Sequence, residues 1–188
     1  MRGRVGPGRG SLATVGDRRL AALRIAICGY ATVWTAVRSS HLIDTTDFEA
    51  RRLDPVGPLA WIDQPLPASL VVIAVILTPV VGLAATLGWK YRATAPLLAL
   101  GFLFLTTYRN SWGQIFHTEN LTSLHLIVLA IAPADRHWAL RRRAPARSGG
   151  GHGAWAVQAM VVMTVCTYFV AGVAKLRIGG WHGSTATK

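Results

Sequence analysis

The stretch "ASLVVIAVILTPVVGLAATL", residues 68–87, decides the fold. It holds no charged residue from end to end. About 20 residues rising roughly 1.5 Å each span the hydrocarbon core of a bilayer as a helix. Four further apolar runs lie around it, at about 20–37, 93–108, 121–134 and 154–176. The runs at 93–108 and 121–134 are shorter and need polar flanks to complete a crossing. A soluble domain of 188 residues would alternate short apolar stripes with charges, whereas here the charges avoid long stretches. The reading is an all-α, multi-pass transmembrane helix bundle of about five spans. It comprises a basic tail (1–19), a membrane domain (20–176) and a short outer tail (177–188).

Composition agrees: 52% of the residues are hydrophobic, and the 20 Lys and Arg against 8 Asp and Glu give a net charge of +12. Such a charge raises nucleic-acid binding, but the basic residues cluster in segments flanking apolar runs and no nucleic-acid-binding motif accompanies them. No nucleic-acid partner is expected. The tail 1–19 and the connections 88–93 and 135–153 together hold 12 Lys and Arg, and the opposite connections hold 7. Six of the eight acids lie on that second side, among them Asp44, Glu49 and Glu119. Basic residues stay inside, so the N-terminus is predicted cytoplasmic and the C-terminus outside, in what is read as a bacterial cytoplasmic membrane. The first run exceeds the apolar core of a signal peptide and lacks a good cleavage site, which favours a retained helix. Cys28 and Cys166 both fall in apolar runs and read as buried, reduced thiols; neither belongs to a metal-ligand spacing.

Polar residues inside or against these runs are the informative ones. Arg24 lies one turn into the first run, and the simplest reading lets it snorkel to the cytoplasmic surface, with an ion pair or a lipid headgroup as alternatives. In the outer connection "RNSWGQIFHTENLTSLH" (109–125), His117, Glu119 and Asn120 precede an apolar run. Asn120 suits a helix cap, and Glu119 beside His117 suits a proton-handling pair. His125 reads as an interhelical hydrogen-bonding residue. The outer segment 38–67 mixes Pro, Gly and apolar residues, as a lidding loop or interfacial helix would, with Trp61 at headgroup level. The basic, glycine-rich stretch 141–153 reads as a linker.

The last run ends in "YFVAGVAKL", residues 168–176. Tyr168, Ala171, Gly172 and Lys175 follow an i, i+3, i+4, i+7 spacing and share one helix face. The small residues on that face let a neighbouring helix or a flat ligand approach the backbone. Two readings of Lys175 are open. It is a boundary lysine snorkelling outward, the simpler reading on composition alone, or an amine whose pKa a partly apolar setting would lower until it acts as a base.

At these residues the sequence resembles the vitamin K-dependent γ-carboxylases and their bacterial relatives, the horizontally transferred transmembrane (HTTM) domain proteins. "YFVAGVAKL" is the most specific match. "LRIAICGY" (23–30), "RRLDPVGPLAWIDQPLP" (51–67), "GWKYRAT" (88–94) and "SWGQIFHTEN" (111–120) follow the family's blocks in order. The resemblance implies that Lys175 corresponds to the base that deprotonates reduced vitamin K, with Ala174 standing where the carboxylases carry another lysine. It also implies a quinone-proximal role for His117, which is displaced by a few positions from the family's Asn-His pair. Members of the family continue beyond the point reached at Trp181, so the chain is expected to be C-terminally truncated relative to them.

The expectation is therefore a membrane enzyme core binding a reduced quinone of the vitamin K type, or a lipid. Lys175 would be the base, and His117, Glu119, Asn120, Tyr168 and Gly172 would line the ligand. The alternatives are a non-enzymatic membrane scaffold or lipid-binding partner, or a truncated, nonfunctional remnant.

Overall fold

The computed structural model describes the backbone of residues 8–113, 118–141 and 153–178 and the side chains of 16–113, 118–141 and 153–177. All regular elements among the described residues are helical. The helices are α1 (Gly8–Val37), α2 (Ser39–Asp44), α3 (Ala68–Leu87), α4 (Tyr91–Asn110), α5 (Asn120–Ile131) and α6 (Ala154–Ile178). Three of them contain stretches long and apolar enough to cross a membrane, Gly16–Val37, Ala68–Leu87 and Ala154–Arg177, and α5 is a shorter apolar helix. Leu70, Ile73, Ile76, Leu77, Val80 and Leu83 are all exposed on α3, an apolar surface that suits lipid rather than water.

Successive long helices pack as neighbours: α1 against α3, α3 against α4, α4 against α5, and α5 against α6, with α1 returning to touch α5 and α6. The closest approaches occur at small residues. A Cβ on Gly82 of α3 would collide with the Thr32 hydroxyl of α1, and one on Gly101 of α4 would meet Thr78 of α3 at 2.5 Å. Small residues let apolar helices close on one another, and the bundle uses them in that way. Between these seams the core is filled by Val71, Val75, Leu98, Phe102, Leu126 and Leu129, all essentially inaccessible.

The turn between α3 and α4 is three residues long. Gly88 ends α3 at φ 71°, and the Trp89 N–H returns to the Ala84 carbonyl at 2.9 Å. This is the left-handed helix ending that glycine favours. A side chain at Gly88 would also meet Ala139 Cβ at 2.5 Å, because the segment after α5 runs directly beneath it. That segment, 132–141, is irregular but fastened: the Leu140 N–H donates to the Leu87 carbonyl at 2.9 Å.

Arg24 does not snorkel. It is fully buried, and its guanidinium donates to the carbonyls of Ala134 at 2.7 Å, His137 at 3.3 Å and Trp138 at 2.5 Å, lying 5.8 Å from the Tyr91 ring centroid. Irregular backbone between two helices has unsatisfied carbonyls, and a five-donor guanidinium satisfies several at once. Cys28 is buried as expected, but Cys166 is exposed, because it lies on a part of α6 that none of the described residues covers. The segment between α1 and α3 forms α2 and three short 3-10 turns, and Trp61 within it is 76% exposed with its ring N–H on the Pro58 carbonyl. The linker cluster at 142–152 lies outside the described residues.

Gly88→Ala is expected to destabilise the protein by about 1–3 kcal/mol, from both the positive φ and the clash with Ala139. Gly16→Ala, with open space around it, is expected to be neutral or to stabilise by up to about 1 kcal/mol. Thermal unfolding of the two variants in detergent checks the contrast.

Candidate functional site

The polar residues gather in two end clusters and one stripe along α6. At the end where α1 and α4 finish, Arg109 and Glu119 form an ion pair at 3.0 Å with side chains only 3% and 5% exposed. α4 delivers Arg109 in its last turn, and the chain returns to place Glu119 just before α5. Trp34 of α1 sits between two guanidiniums, Arg109 at 5.1 Å and Arg38 at 5.3 Å from its ring centroid, and meets Phe102 edge-on. A tryptophan face is the best aromatic partner for a cation, more so where water is excluded.

Burial alone would raise the pKa of Glu119. The Thr118 hydroxyl at 2.8 Å, together with the charge and hydrogen bond of Arg109, outweighs it and holds the carboxyl below its usual value. The arrangement favours the ionised form of Glu119, paired with Arg109. Ser111 extends the cluster: its carbonyl accepts from the Asp54 N–H at 2.8 Å and its hydroxyl from the Val56 N–H at 3.3 Å, which pins the segment between α2 and α3 onto α4. Phe48 and Tyr108 pack edge-on against Trp112 beside it.

The expected ligand set divides. Asn120 is the first residue of α5, exposed, and does not cap it; Glu119 occupies the capping position but turns its carboxylate to Arg109. His117 lies outside the described residues. Tyr168, Gly172 and Lys175 do share a face of α6, and all three are exposed. A Cβ on Gly172 would meet nothing within 4 Å, and Lys175 makes no ion pair or hydrogen bond among the described residues.

The same face of α6 is occupied further down. His125 of α5 reaches across with its Nε2 at 3.3 Å from both the Met160 carbonyl and the Thr164 hydroxyl, and the hydroxyl donates to that carbonyl at 2.8 Å. Beside this contact lies an open apolar groove of about 340 Å³ between α1, α5 and α6, lined by Leu23, Ile27, His125, Val161 and Thr164 among others. Thr164, Tyr168, Ala171 and Lys175 follow one another at helical spacing, so the groove and the lysine lie on a single stripe. Arg109, Trp34 and Thr164 were not identified from the sequence. For the first two, the only sequence signal is a charge and an aromatic ring at the ends of apolar runs.

Breaking the buried pair from either side, by Glu119→Gln or Arg109→Leu, is expected to cost about 3–5 kcal/mol because an uncompensated buried charge or polar group remains. The pH dependence has a defined sign. The folded Glu119 carboxyl lies below its usual value of 4.5, so its stabilisation is complete above that value and is lost as pH falls through the folded pKa. Melting temperatures in detergent between about pH 7 and pH 3 should fall at the acid end for wild type and less steeply for Glu119→Gln.

A family model for the HTTM domain matches residues 16–187. Comparison with curated proteins and with solved structures gave no match. The matched region takes in all the long apolar helices of the fold, and the chain belongs to the HTTM domain family of membrane proteins.

Proposed function

We propose that the protein binds an elongated apolar ligand with a polar head, of the quinol or lipid class, along the exposed stripe of α6. One observation carries this reading: the apolar groove beside His125 and Thr164 continues, on the same helix face, through Tyr168 and Gly172 to Lys175. From Thr164 to Lys175 is about 16 Å along the helix at roughly 1.5 Å per residue, a length suited to part of an isoprenoid or acyl tail. The tail would lie in the groove, and the head would reach the lysine. Five spans, with the N-terminus cytoplasmic and Lys175 at the outer surface, complete the topology on the distribution of basic residues.

In the catalytic form of this reading, which rests on the resemblance to the γ-carboxylases, the neutral amine of Lys175 takes a proton from a quinol hydroxyl. The proton passes to Nζ, and the quinol oxygen is left as an oxyanion for onward reaction. A lysine works as a base only while uncharged, which calls for apolar cover over the amine. The exposure of Tyr168, Gly172 and Lys175 favours a second reading, in which the chain binds a lipid without chemistry and Lys175 pairs with its headgroup. Arginine separates the two, since a guanidinium binds an anion but stays protonated.

The test is equilibrium binding of a reduced isoprenoid quinone to the detergent-solubilised protein, comparing wild type with Lys175→Ala and Lys175→Arg. Saturable binding that weakens about tenfold in Lys175→Ala, the loss of one charge-assisted contact, supports a ligand site that includes Lys175. Formation of the quinol oxyanion, followed by its absorbance, lost in Lys175→Arg while binding persists supports the base. Equal binding by all three proteins contradicts a role for Lys175, and no binding to folded wild type contradicts the quinol reading.

A further inference from the structure

At the end of the bundle opposite Glu119, a second cavity opens between the start of α4 and the end of α5. It holds about 260 Å³ and is lined by Tyr91, Arg92, Ala130, Ile131, Ala132 and Asp135. Asp135 is 6% exposed, and its Oδ1 is buried without a hydrogen-bond partner. A buried carboxylate oxygen with no donor is costly and calls for one. The Tyr91 hydroxyl is already committed to the Leu129 carbonyl at 2.9 Å, and the two terminal nitrogens of Arg24 to the carbonyls of Ala134, His137 and Trp138, while the buried Arg24 Nε makes no hydrogen bond to Asp135. Neither supplies that donor. Arg92, on the same wall, is exposed and has no hydrogen-bond or ion-pair partner among the described residues.

The cavity thus offers a carboxylate inside and a guanidinium at the rim. Its position restricts what fills it. It lies level with the exposed Trp89 and Trp138, whose rings suit the headgroup layer of a bilayer. Above it, toward the middle of the bundle, the outward faces of α4 and α5 carry Leu97, Leu100, Leu124, Ile127 and Ile131, all exposed. A molecule seated in the cavity would continue along an apolar track.

We infer that this cavity is a binding site for a phospholipid whose headgroup carries a primary ammonium and a phosphate, the chemistry of phosphatidylethanolamine. The ammonium donates to the Asp135 carboxylate, which lines the cavity and makes no hydrogen bond among the described residues, the phosphate accepts from Arg92, and the acyl chains follow the leucine and isoleucine track. A trimethylammonium headgroup has no N–H to give Asp135. A glycerol headgroup brings no positive charge to it.

The experiment measures lipid binding to the delipidated full chain in detergent by native mass spectrometry, with phosphatidylethanolamine, phosphatidylcholine and phosphatidylglycerol of matched acyl chains. Wild type is expected to prefer phosphatidylethanolamine by about tenfold over each of the others, as one charge-assisted bond predicts. Asp135→Asn should abolish that preference, and Arg92→Gln should weaken all three lipids together. Arg92 is on the surface, so this second variant remains informative even where Asp135→Asn misfolds. Soluble phosphoethanolamine is the control for headgroup chemistry without acyl chains, and it should compete only weakly. No preference in wild type, a preference retained in Asp135→Asn, Arg92→Gln binding all three lipids as wild type does, or competition by phosphoethanolamine at concentrations equal to the lipid would each overturn the assignment.

Discussion

The rest of the bundle depends on one buried cation. Arg24 lies one turn into the apolar run of α1 that begins near Leu20, and its guanidinium holds three carbonyls of the segment that follows α5. A charge at such depth is tolerated only where protein groups replace water around it. Here the replacement is backbone, with the Tyr91 ring against one side. The consequence reaches beyond the residue, because that backbone passes beneath Gly88, bonds to the end of α3 through Leu140, and leads toward the start of α6. Three helices (α1, the end of α3 and the start of α4) and one irregular segment therefore meet around a single side chain.

The opposite end uses a second arginine differently. Arg109 has a carboxylate as well as a ring, and the pair with Glu119 closes the connection between α4 and α5 much as Arg24 closes the one after α5. Between the two ends the packing is apolar and close, at small residues. Only α6 departs from this arrangement. Its first turns are fastened by Ala156 and Met160 in the core and by His125, and its C-terminal half exposes every described side chain from Val165 onward. The face that carries Tyr168, Gly172 and Lys175 is thus rigidly started and uncovered at its end, which suits a surface that receives a ligand.

Much of the fold was legible in the sequence because length and charge segregation are the two quantities that a bilayer selects. The all-helical class followed from that, whereas the family was legible only through ordered motif blocks such as "YFVAGVAKL" and "GWKYRAT", and the interhelical bond of His125 through a polar residue set inside an apolar run. The end clusters were not legible, for a definite reason. A snorkelling arginine and one that binds carbonyls have the same sequence context, since the partners of Arg24 are backbone oxygens with no residue-type signature. The buried partner of Glu119, Arg109, stands ten residues back across a turn, a separation that carries no sequence signature. Asn120 was read as a cap because of its type, yet the helix begins on it. Cys166 was read as buried because its run is apolar, and apolarity in a membrane protein does not distinguish a core from a lipid-facing surface.

The most direct test of the central claim is hydrogen–deuterium exchange of the detergent-solubilised protein, comparing wild type with Arg24→Gln. If Arg24 fastens the segment after α5, amides in 132–141, that of Leu140 above all, should exchange at least about tenfold faster in the variant, as loss of one or more charged hydrogen bonds implies. Amides of the Arg109–Glu119 end should keep their protection. Unchanged exchange across 132–141 in the variant would contradict the account, and the bundle would then be held by its apolar seams alone.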